Sequence, residues 1–505
     1  MSACGSRRDT IRPVPWNDAV LRADTSRVGV VMRELPYREF DYPGARCLAC
    51  RPLAAANNTA LKAHVATLGG VEELHALRSE VVALLKRRGV DAVEVTEPFD
   101  VEAAPAEGEI TTLPPEVEAL RTRLGLGRLM VFEFDALGVH RPYAHYVAIS
   151  PPYGVATGRA YLIDLGGRKL LWNHPMRSNL VAEGEWDEPP DYPGLSNAYF
   201  QAIEKVKDRV KQILEPAPTG ERAAATRATT AAAAPAATST AAATPIARVA
   251  LRPPAAPRVT WSGMIGPVEG DPDSASTLPA FGPLGILVSA ARGATVESSQ
   301  QDAARRRQQE ADRVLEPMRA ALDRHDAAAL WKDTLGALER ARINAAIVDG
   351  GAPVVARDAW SVELQPAFVL APNLEALVLD VIVNLRQPGA AATGEPIKTA
   401  VRVVSPPGRG GDAWKADDAR ALKAEAATML AHAVEQALWQ AQRTGGTADA
   451  PPRTHRYPLG TELRAERGAM LRDGCARVVI RTLRKALLSA PRAEPAAGCD
   501  SPYRL

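Results

Sequence analysis

The chain has 505 residues, of which 46% are hydrophobic and 24% are charged, and its formal net charge at pH 7 is +2. Chains divide into domains of ~100–200 residues, so this length predicts about two to four globular domains. A net charge this close to zero does not favour nucleic acid or another polyanion as a partner. The sequence has no apolar run of ~18 residues or more, which excludes a membrane-spanning helix.

The first half of the chain alternates between strand and helix patterns. Residues 26–35 form an apolar run typical of a buried strand, and a helical apolar stripe follows that ends at Gly89. A short strand comes directly after Gly89, and the alternating residues of 128–137 predict another strand. Residues 158–172 surround a double-glycine turn and predict a hairpin, and the apolar spacing from Leu195 predicts a closing helix. This order predicts an α/β layer sandwich with a mixed sheet.

Composition changes sharply at residues 216–257, which are dominated by Ala, Thr and Pro and contain few residues able to form a core. The scattered Pro and Thr interrupt the helix that Ala alone would favour, so we predict an extended, disordered linker. A flexible coil of this length spans roughly 35 Å. We therefore expect the two halves of the chain to move independently.

The same order of patterns returns after the linker. Strand patterns occupy 282–290, 342–350 and 374–385, a hairpin pattern occupies 398–414, and a helical stripe occupies 422–437. We predict two similar tandem α/β domains, with a chance sharing of the order as the alternative. The predicted parts are a tether at 1–25, domain 1 at 26–215, the linker at 216–257, domain 2 at 258–445 and a C-terminal segment at 446–505.

The C-terminal segment contains a helical apolar stripe, formed by Leu471, Cys475, Val479 and Leu483. Arginine and lysine side chains lie largely off this stripe. The pattern predicts an amphipathic helix whose basic face is solvated rather than bound to lipid.

Four of the five cysteines, Cys47, Cys50, Cys475 and Cys499, form an even set that suits two disulfides in an oxidising compartment. The first pair, in "ARCLAC", could also be a redox centre or half of a zinc site. Its surroundings are typical of a loop and not of the helix start that a redox thiol needs, and no second ligand pair completes a zinc site. We expect a bond between Cys47 and Cys50, with pairing across to Cys475 and Cys499 as the alternative.

Other residues could bind a metal ion. His140, His145 and His174 could converge on zinc, and the acidic residues of 183–191 could hold a cation. We interpret the histidines as exposed or hydrogen-bonded and the acidic stretch, which contains several prolines, as a rigid solvated loop. The sequence shows no hydrolase nucleophile motif, phosphate-binding loop or dinucleotide motif. We expect no catalytic residue, no metal and no cofactor.

The N-terminus bears on the compartment. Residues 1–6, "MSACGS", are similar to the last positions of a bacterial lipoprotein signal, in which the cysteine receives the lipid. That resemblance implies lipid attachment at Cys4. The apolar segment that normally precedes such a cysteine is missing from the sequence. Two interpretations stay open: a cytoplasmic protein without a signal, or a sequence whose start was assigned too late or that is truncated.

A wider resemblance covers residues 26–215. The stretches "VGVVM" (28–32), "YPGARCLAC" (42–50) with "ANNTALKAHV" (56–65), and "GRAYLIDLGGRKLLW" (158–172) carry it. These residues resemble the α/β envelope lipoproteins of Gram-negative bacteria, a group similar in pattern to the lipoprotein activators of penicillin-binding proteins and to assembly lipoproteins.

This resemblance implies a function without catalysis. It implies a periplasm-facing protein, anchored to the outer membrane through lipid on Cys4, that binds or positions other envelope proteins. The alternative is a soluble cytoplasmic binding module or enzyme, such as a thiol-disulfide oxidoreductase that uses Cys47 and Cys50.

The linker pattern generates a first prediction. Trypsin under native conditions should cut first within 216–257, near Arg222 or Arg227, and should leave two folded fragments, because this stretch has no apolar periodicity to protect it. Gel electrophoresis and mass spectrometry of the fragments measure the order of cleavage. Digestion of the second half while the linker stays intact would contradict two independent domains.

Overall fold

The structure is a computed structural model of the chain. It describes the following residues: 13–17, 25–100, 102–103, 110–145, 147–182, 184, 186–215, 248–252, 259–265, 298–348, 358–390, 395–443, 450–493, 499 and 502–503. Several predicted features lie outside the described residues: most of the tether with the lipid site at Cys4, Glu183 and Glu185 of the acidic stretch, the linker residues 216–247 and 253–257, and the strand at 282–290.

The chain forms two compact units, called domain 1 and domain 2, and the division between them falls within the predicted linker range. Both contain helices and strands in mixed sheets, which confirms the predicted α/β class with two tandem domains. Among the helices that the structure describes, none is both long enough and apolar enough to cross a membrane.

Domain 1 contains eight described strands and five described helices. The strands are β1 (Arg27–Met32), β2 (Arg38–Asp41), β3 (Ala92–Glu94), β4 (Leu126–His140), β5 (Tyr143–Ala144), β6 (Val147–Ala148), β7 (Tyr153–Asp164) and β8 (Lys169–Val181). The helices are α1 (Cys50–Asn57), α2 (Thr59–Thr67), α3 (Val71–Arg87), α4 (Pro115–Leu124) and α5 (Pro193–Leu214).

The sheet of domain 1 is mixed and has the order β3-β1-β4-β7-β8. Strand β4 is long enough to pair in parallel with β1 along its first part and with β2 along its last part. Gly138 permits the second pairing, because a Cβ atom there would lie 2.0 Å from the backbone oxygen of Glu39. Strands β7 and β8 continue the sheet as the predicted antiparallel hairpin. At the outer edge, Val14 forms an antiparallel bridge with Asn173 of β8.

Alternation along β4 divides the core of domain 1 between the two faces of the sheet. Met130, Phe132 and Phe134 pack with helices α1, α2, α3 and α5, as their period of two predicts. Leu129 and Val131 point to the other face and pack with α4. The sheet therefore lies between two helical layers.

Domain 2 contains ten described strands and five described α-helices. The strands are β9 (Arg248–Arg252), β10 (Thr260–Gly263), β11 (Ala345–Ile347), β12 (Ala359–Leu370), β13 (Leu377–Arg386), β14 (Ile397–Val404), β15 (Arg453–Leu459), β16 (Glu462–Asp473), β17 (Arg477–Thr482) and β18 (Leu487–Pro491). The helices are α6 (Ser298–Ala311), α7 (Arg319–Arg324), α8 (Ala327–Arg340), α9 (Asp412–Lys415) and α10 (Arg420–Gln442), with 3-10 turns at Asp312–Met318 and Asp417–Ala419.

Five strands of domain 2 repeat the sheet of domain 1 in the order β11-β9-β12-β13-β14. Strand β9 pairs in parallel with β11 and β12, as β1 pairs with β3 and β4. Strand β10 pairs in parallel with β12, as β2 pairs with β4, and the following pairs are antiparallel in both domains. The similarity of the two domains therefore extends from the order of elements to the direction of every corresponding pair.

Three details of the predicted repeat are wrong. Strand β9 lies inside the predicted linker range, so domain 2 begins before residue 258. The counterpart of β4 is β12, which the sequence analysis missed, and the segment 374–385 corresponds to β7 instead. The segment 398–414 is not a hairpin, because a Pro- and Gly-rich stretch follows β14 and leads into α9; β14 pairs with β13 instead.

The predicted amphipathic helix of the C-terminal segment is also wrong. Strands β15 to β18 occupy this region, and β18 adds to β14 in parallel to extend the sheet to ten strands. The β-branched run Val478–Ile480 favours β17, and Cys475 lies in the turn before it. A spacing of four residues fits both one helical turn and two strand repeats. The apolar spacing therefore does not distinguish a helix from a strand in this segment.

The position of β9 generates a second prediction. A fragment that begins at residue 240 should fold, whereas one that begins at 258 should not, because it lacks the strand between β11 and β12. Val249 and Leu251 on β9 are almost fully buried, so the shorter fragment would also expose part of the core. Urea unfolding, monitored by tryptophan fluorescence, measures the difference in stability between the two fragments. Equal, cooperative unfolding of both fragments would contradict the assignment of β9 to the sheet.

Candidate functional site

The structure joins Cys47 to Cys50 and Cys475 to Cys499, so each disulfide lies within one domain. Cys50 is the first residue of α1 and is 1% exposed, whereas Cys47 lies in the preceding turn and is exposed. The backbone N–H of Cys50 donates to the carbonyl of Cys47 at 3.1 Å. The predicted loop location therefore needs correction, because the pair spans the start of a helix.

This disulfide presents an apolar surface to solvent. We call residues 46–53 the apolar tip. Leu48, between the two cysteines, is 99% exposed, and Leu53 on α1 is 47% exposed. Arg46 is also exposed, and Arg51 forms an ion pair with Asp41 at 2.8 Å. Leu48, Ala49 and Leu53 are therefore exposed apolar side chains grouped at the start of α1.

The base of the apolar tip is fixed to the core. Cys50 and Ala54, one helical turn apart, are buried among the apolar residues of domain 1. Buried Asn58 donates to the carbonyl of Ala54 at 2.7 Å and to the hydroxyl of Tyr143 at 2.6 Å, and it accepts from Arg141 at 2.6 Å. These bonds hold α1 and α2 against the end of β4, so the tip is a preformed surface.

The histidines considered as zinc ligands lie in different surroundings. The ring of His140 contacts that of Tyr153 with centroids 5.6 Å apart, and the ring of His174 lies parallel to that of Trp172. His145 occupies a turn with a φ of 57°. Within the part of the chain that the structure describes, no group of three metal-ligating side chains could hold an ion.

Sequence analysis missed a buried polar cluster in domain 2. His432 on α10 lies 2.9 Å from the hydroxyl of Ser489 on β18, and Glu435 lies 3.5 Å from the other ring nitrogen of His432. This is the residue order of a nucleophile, its base and an orienting acid. Ser489 is fully buried, however, and its oxygen accepts from Arg477 Nε at 3.0 Å. A hydroxyl in this position binds its neighbours and does not meet a substrate.

The end of the chain covers this polar cluster. The ring of Tyr503 lies 4.7 Å from the guanidinium of Arg477, and its hydroxyl donates to Glu425. The disulfide to Cys499 ties this tail to the turn before β17. Arg477 donates further bonds to the carbonyls of Val404 and Ser489, and burial lowers its pKa to about 10. The second disulfide therefore fixes a tail that completes the interior of domain 2.

A surface cleft of about 560 Å³ lies between α8 and α10 of domain 2. It is open because small residues face it, including Gly336 and Ala427. The charged residues of its wall are Lys332, Asp333, Arg340, Asp417, Asp418, Arg420 and Lys423. Asp418 is bound by Lys423 at 2.9 Å and by Arg324, so part of this charge is already paired.

Comparison with known proteins adds little. No family model matches the chain, and no curated protein matches it. One matching solved structure is a neuraminyllactose-binding hemagglutinin homolog from Helicobacter pylori, which is 10% identical and has a TM-score of 0.19. The match covers 38% of this chain and 84% of the other. A likeness at this score carries no argument about fold or function.

The buried histidine generates a third prediction. Burial lowers the pKa of His432 and outweighs the opposing bond to Glu435, so the folded domain holds the ring neutral. The unfolded chain takes up a proton below pH ~6.5, so stability falls as the pH drops from there towards the lowered folded pKa. Replacing His432 with Gln should reduce the loss of stability between pH 6.5 and 5.5, by at most about 1 kcal/mol, which is the full titration of one unfolded histidine over that interval.

Urea unfolding at the two pH values measures this difference. His145→Gln, at an exposed position, is the matched control and should keep the wild-type pH dependence. An unchanged pH dependence in the His432 variant would show that this ring does not contribute to it.

Proposed function

We propose that the chain is a non-enzymatic, periplasm-facing envelope lipoprotein whose two α/β domains bind or position other cell-envelope components. The observation that carries the proposal is that all four cysteines outside the N-terminal segment are paired in disulfides. Disulfides form and persist in oxidising compartments and are rare in the cytosol. An oxidising, extracytoplasmic location follows from this rule, and the lipid on Cys4 and the outer membrane are the finer parts of the proposal.

A binding role is supported by the apolar tip. Leu48 and Leu53 contribute exposed apolar surface at a position that the disulfide and Asn58 make rigid. Apolar side chains grouped at one rigid position provide surface that a partner can cover at low entropic cost. Other envelope proteins are the proposed partners, with attachment to the membrane through Cys4 and no role for nucleic acid.

One observation favours a second function, thiol-disulfide exchange. Cys47 is exposed and Cys50 begins a helix, an arrangement in which the helix dipole stabilises a thiolate. Arg46 and Arg51 flank the pair and would favour the same thiolate. A structural disulfide and an exchanging one differ in whether the bond opens in the cell.

The fourth prediction concerns the oxidation state of the cysteines in the cell. Free thiols are blocked in intact cells with a membrane-permeant maleimide, and the purified protein is then reduced and labelled with a second reagent. Under the proposed function, Cys47, Cys50, Cys475 and Cys499 should all carry the second label. Mass spectrometry of the peptides measures this. Labelling of all four cysteines by the first reagent would show that they are free thiols in the cell and would overturn the extracytoplasmic placement.

Two variants separate the remaining outcomes. Cys4→Ser should move the protein from the membrane fraction to the soluble extracytoplasmic fraction if Cys4 carries lipid. Cys50→Ser should leave Cys47 as a single exposed thiol, and its accumulation in mixed disulfides with other proteins would favour the exchange function instead.

A further inference from the structure

We infer that the apolar tip of domain 1 docks on the surface of an anionic membrane. The inference deepens the proposed function and rests on it, because that function places domain 1 beside a membrane. The partner is the lipid headgroup region of a bilayer, and the docking is peripheral, through the exposed side chains of the turn and of α1.

The apolar side chains of the tip form one continuous exposed stripe. Leu48 and Ala49 occupy the turn between the cysteines, and the N–H of Leu53 donates to the carbonyl of Ala49 at 3.2 Å. Leu53 therefore lies one helical turn above Ala49, and exposed Ala56 continues the stripe. On the opposite side of α1, Cys50 and Ala54 are buried. The helix is thus amphipathic, although it is short.

Two arginines, Arg46 and Arg51, belong to the tip itself. Lys62 lies on α2, and the acidic residues Asp41 and Glu72 flank the stretch 42–71, which contains none. All three basic side chains are exposed, and Asp41, just outside this stretch, pairs with Arg51. Exposed leucine next to arginine is a combination that binds the interface of an anionic bilayer. The long basic side chains can reach phosphate groups while the leucines enter the acyl boundary.

The shape of the tip favours a bilayer over a folded protein partner. A side chain that is 99% exposed, as Leu48 is, stands out from the surface and offers no groove to a helix or a peptide. A bilayer interface accepts such a convex apolar group without a matching pocket. The disulfide and the bonds of Asn58 fix the backbone of the turn and of α1 before contact, so little backbone entropy is lost on docking.

Vesicle binding is the fifth prediction. The oxidised full chain, produced without lipid on Cys4, is sedimented with vesicles of phosphatidylcholine that contain about a third phosphatidylglycerol, and with vesicles of phosphatidylcholine alone. The chain should bind the anionic vesicles, and added salt should weaken the binding. Leu48→Asp should lower the partition coefficient between vesicles and water about tenfold or more. The variant buries one leucine side chain fewer in the bilayer, and its negative charge is repelled by the anionic lipid. Arg46→Glu should weaken binding to the anionic vesicles.

Leu463→Asp is the matched control, because Leu463 is 51% exposed on β16 of domain 2. This variant should bind as the wild type does, and unchanged urea unfolding of each variant shows that its fold is intact. Equal binding of Leu48→Asp and wild type would overturn the inference. Failure of the wild type to bind the anionic vesicles would also overturn the inference. If a photo-crosslinker at position 48 then captured only protein in cells, the tip would contact a protein and not a membrane. This test does not depend on the cellular state of the thiols, so the inference and the proposed function can fail separately.

Discussion

The long central strand is the constraint on which each domain depends. In domain 1, β4 pairs with β1, β2 and β7, and in domain 2, β12 pairs with β9, β10 and β13. Most of each strand is buried on both faces, so most of its side chains are apolar. Among the charged residues of β4, Glu133 is buried with Arg159 directly opposite it on β7 at 2.9 Å. Glu133 also pairs with Arg33, and Arg159 also pairs with Glu102, so the pair belongs to a network of charged side chains.

The two domains differ at the edge that follows this shared sheet. In domain 2, β18 pairs with β14 and brings β15, β16 and β17 with it, and these strands form a second core with β12, β13 and β14. In domain 1, the corresponding strand β8 is bridged by Val14, and Trp16 packs edge-on against Trp172 at 5.2 Å. The same architecture is thus completed by a folded meander in one domain and by the N-terminal segment in the other. The difference gives domain 2 its buried polar cluster, since Arg477 and Ser489 both belong to the added strands.

Sequence reasoning succeeded where the pattern was local and long. The alternation of Met130, Phe132 and Phe134, the hairpin of β7 and β8 and the helix from Leu195 all follow from residues that are neighbours in the chain. Strand β9 was missed because five residues between Ala- and Pro-rich stretches carry too little periodicity to distinguish a strand from a linker. The site was harder still. Leucine is a residue type that is usually buried, and only the position of Leu48 in the fold shows that it is exposed.

The local pairing of the cysteines also determines how the chain can reach its folded state. Cys47 and Cys50 are three residues apart in sequence, and Cys475 and Cys499 are 24 apart. Short loops keep two thiols at a high effective concentration, so each bond can form from within its own stretch of chain. Neither domain then waits for the other in order to become oxidised. A chain that emerges with its N-terminus first can complete domain 1, including its disulfide, before the cysteines of domain 2 are available to mispair with those of domain 1.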